Sequence, residues 1–187
     1  SSERMGYAIA KAAAMEDANV TLVSCTKSLP VPDGINVVYV ENARELNTSM
    51  NLYYDSSDVV IMAAAVADYR AVNQSDHKIK KEENSSLDIK LELNPDILLE
   101  LGKRKKKQFL VGFAAETNDV IRHGQEKIKK KNLDMLIAND VAMPGAGFNV
   151  TTNIASILYK DGTMQQYPKM TKEELGGIII EKVAERL

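Results

Sequence analysis

Tryptophan is absent from this chain of 187 residues, cysteine occurs once, at Cys25, and there are only two histidines and three phenylalanines. A single thiol makes no intrachain disulfide, so the apolar core alone must hold the fold. His77 and His123 stand at no metal-ligand spacing from each other or from Cys25, which leaves zinc chemistry without a ligand set. Such sparing use of cysteine suits a reducing compartment, and a cytoplasmic protein is expected. No apolar run approaches the ~18 residues of a membrane helix and no signal peptide opens the chain, so neither membrane insertion nor export is expected. Asn47-Thr48-Ser49, Asn84-Ser85-Ser86 and Asn149-Val150-Thr151 match glycosylation acceptors, but these triplets matter only in secreted proteins. Excess charge is missing too. Against 26 acidic side chains stand 24 basic ones, which removes the global electrostatic case for nucleic acid, and any anion site must be local. Neither a Gly-x-Ser-x-Gly elbow nor a Walker loop is present, arguing against a serine hydrolase or P-loop kinase, and without Gly-x-Gly-x-x-Gly a dinucleotide-dependent oxidoreductase is disfavoured.

What is present alternates between helical and strand periods, at a length that fits one domain with a substantial core. Met5, Ile9, Ala12 and Ala13 give a helix from Ser2 to about Asp17, and Asn19 to Val23 and Val37 to Val40 read as short strands. A helix is predicted over Ala43 to Tyr54, then Val59 to Ala64 runs continuously apolar, as a strand covered on both faces does. Leu87, Ile89, Leu91 and Leu93 alternate with polar residues as in a half-exposed strand, and Asn94-Pro95-Asp96 opens a helix that Asn94 can cap. Phe109 to Ala115, Asn118 to Lys131 and Met135 to Asn139 complete a strand, helix and strand. Ile154 to Tyr159 and Met164 to Tyr167 form a hairpin on Asp161-Gly162, and Thr171 and Glu174 have capping-box spacing for a last helix through Leu187. The fold class is α/β: one Rossmann-like domain, a mostly parallel sheet with helices on both faces and a C-terminal β-hairpin.

Several residues invite a functional reading that a plainer one rivals. Asp68 follows a buried strand at the carboxyl edge, where open α/β sheets bind ligands, or it is a loop acid capping a turn. Lys78, Lys80 and Lys81 form a cationic cluster that Glu82 and Glu83 would screen if the segment is a solvated loop. Lys127 and Lys131 share a helix face and two phosphates could span them; pattern alone favours their complementing the helix dipole. Phe113 ends its strand, where a rim position would stack on a base, although the pattern alone favours core packing. Lys103 to Lys107 is read as a solvated loop, since no aromatics interleave it for base stacking.

Taken in order, Ser1-Ser2-x-x-Met5-Gly6, Ala63-Ala64-Ala65-Val66-Ala67-Asp68-Tyr69-Arg70, Lys78-Ile79-Lys80-Lys81, Asn94-Pro95-Asp96-Ile97, Gly112-Phe113-Ala114-Ala115-Glu116-Thr117, Lys131-Asn132-Leu133-Asp134 and Ala138-Asn139-Asp140 closely resemble the phosphopantothenate–cysteine ligase family, the synthetase half of a bacterial bifunctional coenzyme A biosynthesis protein. The resemblance spans essentially the whole chain. It implies a CTP- and Mg2+-dependent ligase that converts phosphopantothenate to an acyl-cytidylate, which cysteine then attacks. It also implies a homodimer, and a parent chain fused to a flavin-dependent decarboxylase domain. Carried over, Ala63, Ala64 and Asp68 would line the CTP site, Lys78 would contact phosphate and support transfer to cysteine, and Pro95, Asp96, Ile97 and Leu98 would offer helix N-terminal amides. Phe113 would border the nucleotide, and Lys127 and Lys131 would complete a positive pocket, which overrides the dipole-only reading of that pair.

Two departures set further expectations. Glu3 stands where the family usually has glycine, placing negative charge at an anion-binding helix terminus. The family's preceding central strand, glycine-rich turn and an asparagine are not in the sequence, so a trimmed polypeptide, inactive in isolation, is expected.

Overall fold

A computed structural model describes residues 2–73, 75, 77, 88–116, 119–140 and 152–187. In chain order the elements are α1 (Ser2–Met15), β1 (Thr21–Ser24), β2 (Asn36–Tyr39), α2 (Ala43–Tyr54), β3 (Val59–Met62), β4 (Tyr69–Ala71), β5 (Leu91–Leu93), α3 (Ile97–Arg104), β6 (Phe109–Glu116), α4 (Val120–Lys131), β7 (Met135–Asp140), β8 (Thr152–Tyr159), β9 (Met164–Thr171) and α5 (Lys172–Ala184). Five strands form the main sheet in the order β3-β6-β7-β8-β9. The first three are parallel, and β8 and β9 extend them antiparallel. β1 and β2 make a separate parallel pair, and β4 and β5 an antiparallel one.

The two-residue period of a strand divides the core between the faces of the main sheet. Val60, Met62, Leu110, Leu136 and Leu158 pack with Leu46, Leu101, Ile128 and Leu133, on the side of α2, α3 and α4. Their immediate neighbours Ile61, Val111, Met135, Ile137 and Ile157 pack with Met5, Ile9, Leu175 and Ile179 of α1 and α5. Helices therefore cover both faces, which explains why the strand sequences read as unbroken apolar runs. The β8–β9 hairpin turns where Gly162 takes φ 89°, and Asp161 accepts the Thr163 N–H at 2.8 Å. Thr171 and Glu174 close both halves of the capping box at the start of α5. Among the described residues no helix is long and apolar enough to cross a membrane.

The bounds of several elements differ from those expected. The last helix ends at Ala184 rather than Leu187, and among the described residues of the alternating Leu segment the strand covers Leu91–Leu93, which pair with Tyr69–Ala71, while Leu87 lies outside the described residues. The Tyr69 segment had offered three residues and too short a period to be read as a strand.

Candidate functional site

In a parallel sheet flanked by helices, ligands lodge at the carboxyl ends of the strands. Met62 and Gly112 are register partners in β3 and β6, so Ala63 and Phe113 follow at the same edge. Both pack toward α1 and α5. Phe113 is half-buried there, while Ala64 and Asp68 are exposed. Asn94 ties the loop after β3 to the approach of α3: its N–H donates to the Asp68 carbonyl at 2.8 Å and its Nδ2 to the Ala67 carbonyl at 2.8 Å.

Asn94 is therefore not the helix cap. That role falls to Asp96, whose Oδ1 accepts the Leu99 N–H at 3.2 Å, because the side chain of Asn94 is engaged by the loop. Pro95 thus precedes the cap instead of opening the first turn. Ile97 and Leu98 are 1% and 8% exposed and belong to the core, so this turn offers a ligand its backbone N–H groups rather than those side chains.

Lys131 Nζ lies 2.8 Å from Asp96 Oδ1. Helical side chains tilt toward the N-terminus of their helix, so Lys131, in the last turn of α4, reaches back to the first turn of α3. Lys127, half-buried on the same face, sits about 6 Å nearer the carboxyl edge. With 24% and 39% of their side chains exposed, Lys131 and Asp96 form a pair worth under about 1 kcal/mol, weak enough for a polyanion to compete for the ammonium. Asp68, Asn94 to Leu98 and Lys131 are thus linked through backbone and side-chain bonds, with Ala63 just past the end of β3 and Phe113 inside β6, which runs on to Glu116 instead of ending at Phe113 as expected. Lys78 lies outside the described residues.

The run Lys103 to Lys107 departs from the solvated loop expected of it. Lys105 is the exception within it: its side chain is 8% exposed and its Nζ meets both carboxylate oxygens of Asp134 at 2.9 Å. Arg104 binds Asn51 and Asp55, and Lys107 binds Asp58, so the run fastens α3 to its surroundings. A separate hollow of about 740 Å3 opens at the carboxyl ends of β1 and β2, lined by Cys25, Lys27, Tyr39, Glu41 and Glu45 among others. None of the residues singled out for nucleotide lines it. Partial burial, then the carboxylates of Glu3 and Glu45, raise the Cys25 thiol above its ordinary pKa, which keeps it protonated and a poor nucleophile.

Comparison with known proteins adds a family. The model of the DNA/pantothenate metabolism flavoprotein C-terminal domain matches residues 1–187. The chain is 42% identical over 185 residues to the coenzyme A biosynthesis bifunctional protein CoaBC of Bacillus subtilis, covering 98% of this chain and 45% of that protein. With the Escherichia coli K12 protein of the same name it shares 41% over 189 residues, covering 100% and 46%. The chain spans about half the length of these curated relatives. A crystal structure of a CoaBC C-terminal domain superposes with a TM-score of 0.82 at 37% identity, covering 98% of this chain and 82% of that one.

Proposed function

This chain belongs to the family of DNA/pantothenate metabolism flavoprotein C-terminal domains, and on that premise we propose that it is a CTP-dependent phosphopantothenate–cysteine ligase of coenzyme A biosynthesis. The match over all 187 residues, at about 40% identity to bifunctional coenzyme A biosynthesis proteins, carries the reading. The phosphopantothenate carboxylate attacks the α-phosphorus of CTP and pyrophosphate leaves. The cysteine amine then attacks the acyl carbon, forming the amide and releasing CMP.

Bringing a carboxylate onto an anionic phosphate requires fixed positive charge around the transition state. Under this reading the amides at the start of α3, Lys127, Lys131 and Lys78 supply it, Asp68 meets the ribose or the metal-bound phosphates, and Ala63, Ala64 and Phe113 border the nucleoside. Among the described residues no three His, Cys, Asp or Glu side chains gather as a metal cage. Under this reading Mg2+ enters as part of the nucleotide substrate, held mainly by its phosphates. The cytoplasmic location, and fusion in the parent chain to a flavin-dependent decarboxylase domain, belong to the same proposal.

The full-length polypeptide is expected to release pyrophosphate only with CTP, phosphopantothenate and Mg2+ together, and CMP on adding cysteine. Lys78→Gln is expected to lower turnover by about 100-fold or more. CTP binding by calorimetry with no pyrophosphate under any substrate combination would instead make the domain a nucleotide-binding module.

A homodimer accompanies this reading. Tyr69 faces Leu93 and Ala71 faces Leu91 across β4 and β5, so these side chains share one face. Tyr69, Leu91 and Leu93 are 57%, 55% and 65% exposed, an apolar surface suited to cover by a second copy. Sedimentation is expected to show a dimer that Leu91→Asp with Leu93→Asp converts to monomer; a monomeric unsubstituted protein would remove the dimer from the proposal.

A further inference from the structure

The opposite face of the β4–β5 arm carries polar side chains that join segments far apart in sequence. Arg70 Nη1 donates to the Leu93 carbonyl at 2.8 Å and to Asn94 Oδ1 at 3.0 Å. Its Nη2 lies 2.8 Å from Glu92 Oε1, and Arg44 of α2 reaches the same oxygen at 3.0 Å. Asn94 continues the series, with Nδ2 on the Ala67 carbonyl and its N–H on the Asp68 carbonyl, both at 2.8 Å. A bonded path therefore runs from α2 through Glu92, Arg70 and Asn94 to the loop after β3.

We propose that Arg70 and Asn94 are positioning residues that set the loop of residues 63–68 against the start of α3 before nucleotide arrives; this rests on the ligase reading above. The start of α3 is anchored in the core by Ile97 and Leu98, whereas the loop exposes Ala64, Ala65, Ala67 and Asp68. Left to itself, an exposed loop samples many backbone states, and a ligand would bear the cost of ordering it. Asn94 transmits the rigidity of α3 to Ala67 and Asp68, and Arg70 holds the Asn94 amide in the orientation this requires. Arginine suits the task because its planar fork reaches three acceptors together, which one ammonium cannot do in that geometry. Its Nε is buried with no acceptor among the described residues, so the two Nη groups alone fix the side chain.

Asn94→Asp keeps an acceptor for Arg70 but turns a carboxylate oxygen toward the Ala67 carbonyl, breaking the loop link alone. Arg70→Lys keeps the charge and loses the fork. In the full-length polypeptide each is expected to raise the KM and Kd for CTP about tenfold, with kcat and thermal midpoint little changed. Hydrogen exchange of the Asn94 amide is expected to accelerate, most in Asn94→Asp. Unchanged KM and unchanged exchange overturn the proposal, as does a lowered thermal midpoint with KM intact, the mark of a merely structural role. If the unsubstituted protein binds no CTP, the ligase reading falls while the exchange measurement still decides: faster exchange at constant thermal midpoint supports the brace, and unchanged exchange rejects it.

Discussion

Gly102→Ala is expected to destabilise the protein by about 3 kcal/mol, against the gain that alanine brings to a helix. Helix propensity alone predicts stabilisation of up to about 1 kcal/mol, so the sign of the measured change separates the two effects. A Cβ at position 102 would lie 1.9 Å from the Lys131 carbonyl oxygen and 2.8 Å from its carbon. Those are backbone atoms, and no side-chain rotation relieves the overlap. Nor is the end of α4 free to retreat. Asn132 takes the left-handed conformation at φ 51°, and its N–H bonds back to the Ile128 and Lys129 carbonyls. Its Nδ2 donates to the Gly102 carbonyl at 3.0 Å, and its own carbonyl accepts Lys105 Nζ at 2.6 Å. Moving α4 away breaks these bonds and draws Lys131 from Asp96, so nucleotide affinity is expected to fall along with stability. Urea denaturation is the measurement, and a rise in the midpoint would show that α3 and α4 approach less closely than described.

The second large effect is expected at Asp134. Its carboxylate accepts Lys105 Nζ on both oxygens and the Leu110 N–H at 2.8 Å, while its backbone bridges Leu110 and Lys160. Asp134→Ala leaves the nearly buried Lys105 ammonium with the Asn132 carbonyl as its remaining described acceptor, and orphans the Leu110 N–H. Breaking one partner of such a pair costs about 3–5 kcal/mol, far more than the pair contributes over an apolar replacement. Adding Lys105→Met is expected to recover part of the loss by removing the stranded charge. Chemical denaturation of the two single variants and the double variant checks both statements. A loss below about 0.5 kcal/mol for Asp134→Ala would mean that water reaches the ammonium and the pair is a surface bridge.

These effects fall at positions whose importance is poorly legible in one dimension. Gly102 lies within α3, where helix propensity alone counts glycine as a weakness, and Lys105 sits inside a basic run that reads as solvated. Each acquires its meaning from a partner some thirty residues away, Lys131 and Asp134 respectively. Asn94 shows the same limit: it precedes a helix and has a capping side chain, but the Ala67 carbonyl claims that side chain and leaves the cap to Asp96. Local propensity cannot anticipate a competing acceptor brought in by the fold.

What the chain's order of residues determined by itself is whatever depends on period and neighbours. The helix over Ala43–Tyr54, the apolar strands at Val59 and Phe109, the Asp161-Gly162 turn and the Thr171 capping box all follow from local hydrogen bonding and side-chain alternation. The order of its motifs likewise disclosed the family. Tertiary structure alone decided which face of the sheet each strand residue serves, that β4 pairs with β5, and that Arg70, Asn94, Asp96 and Lys131 join loop, arm and helices. Those bonds link groups remote along the polymer, and only folding brings such groups within hydrogen-bond reach.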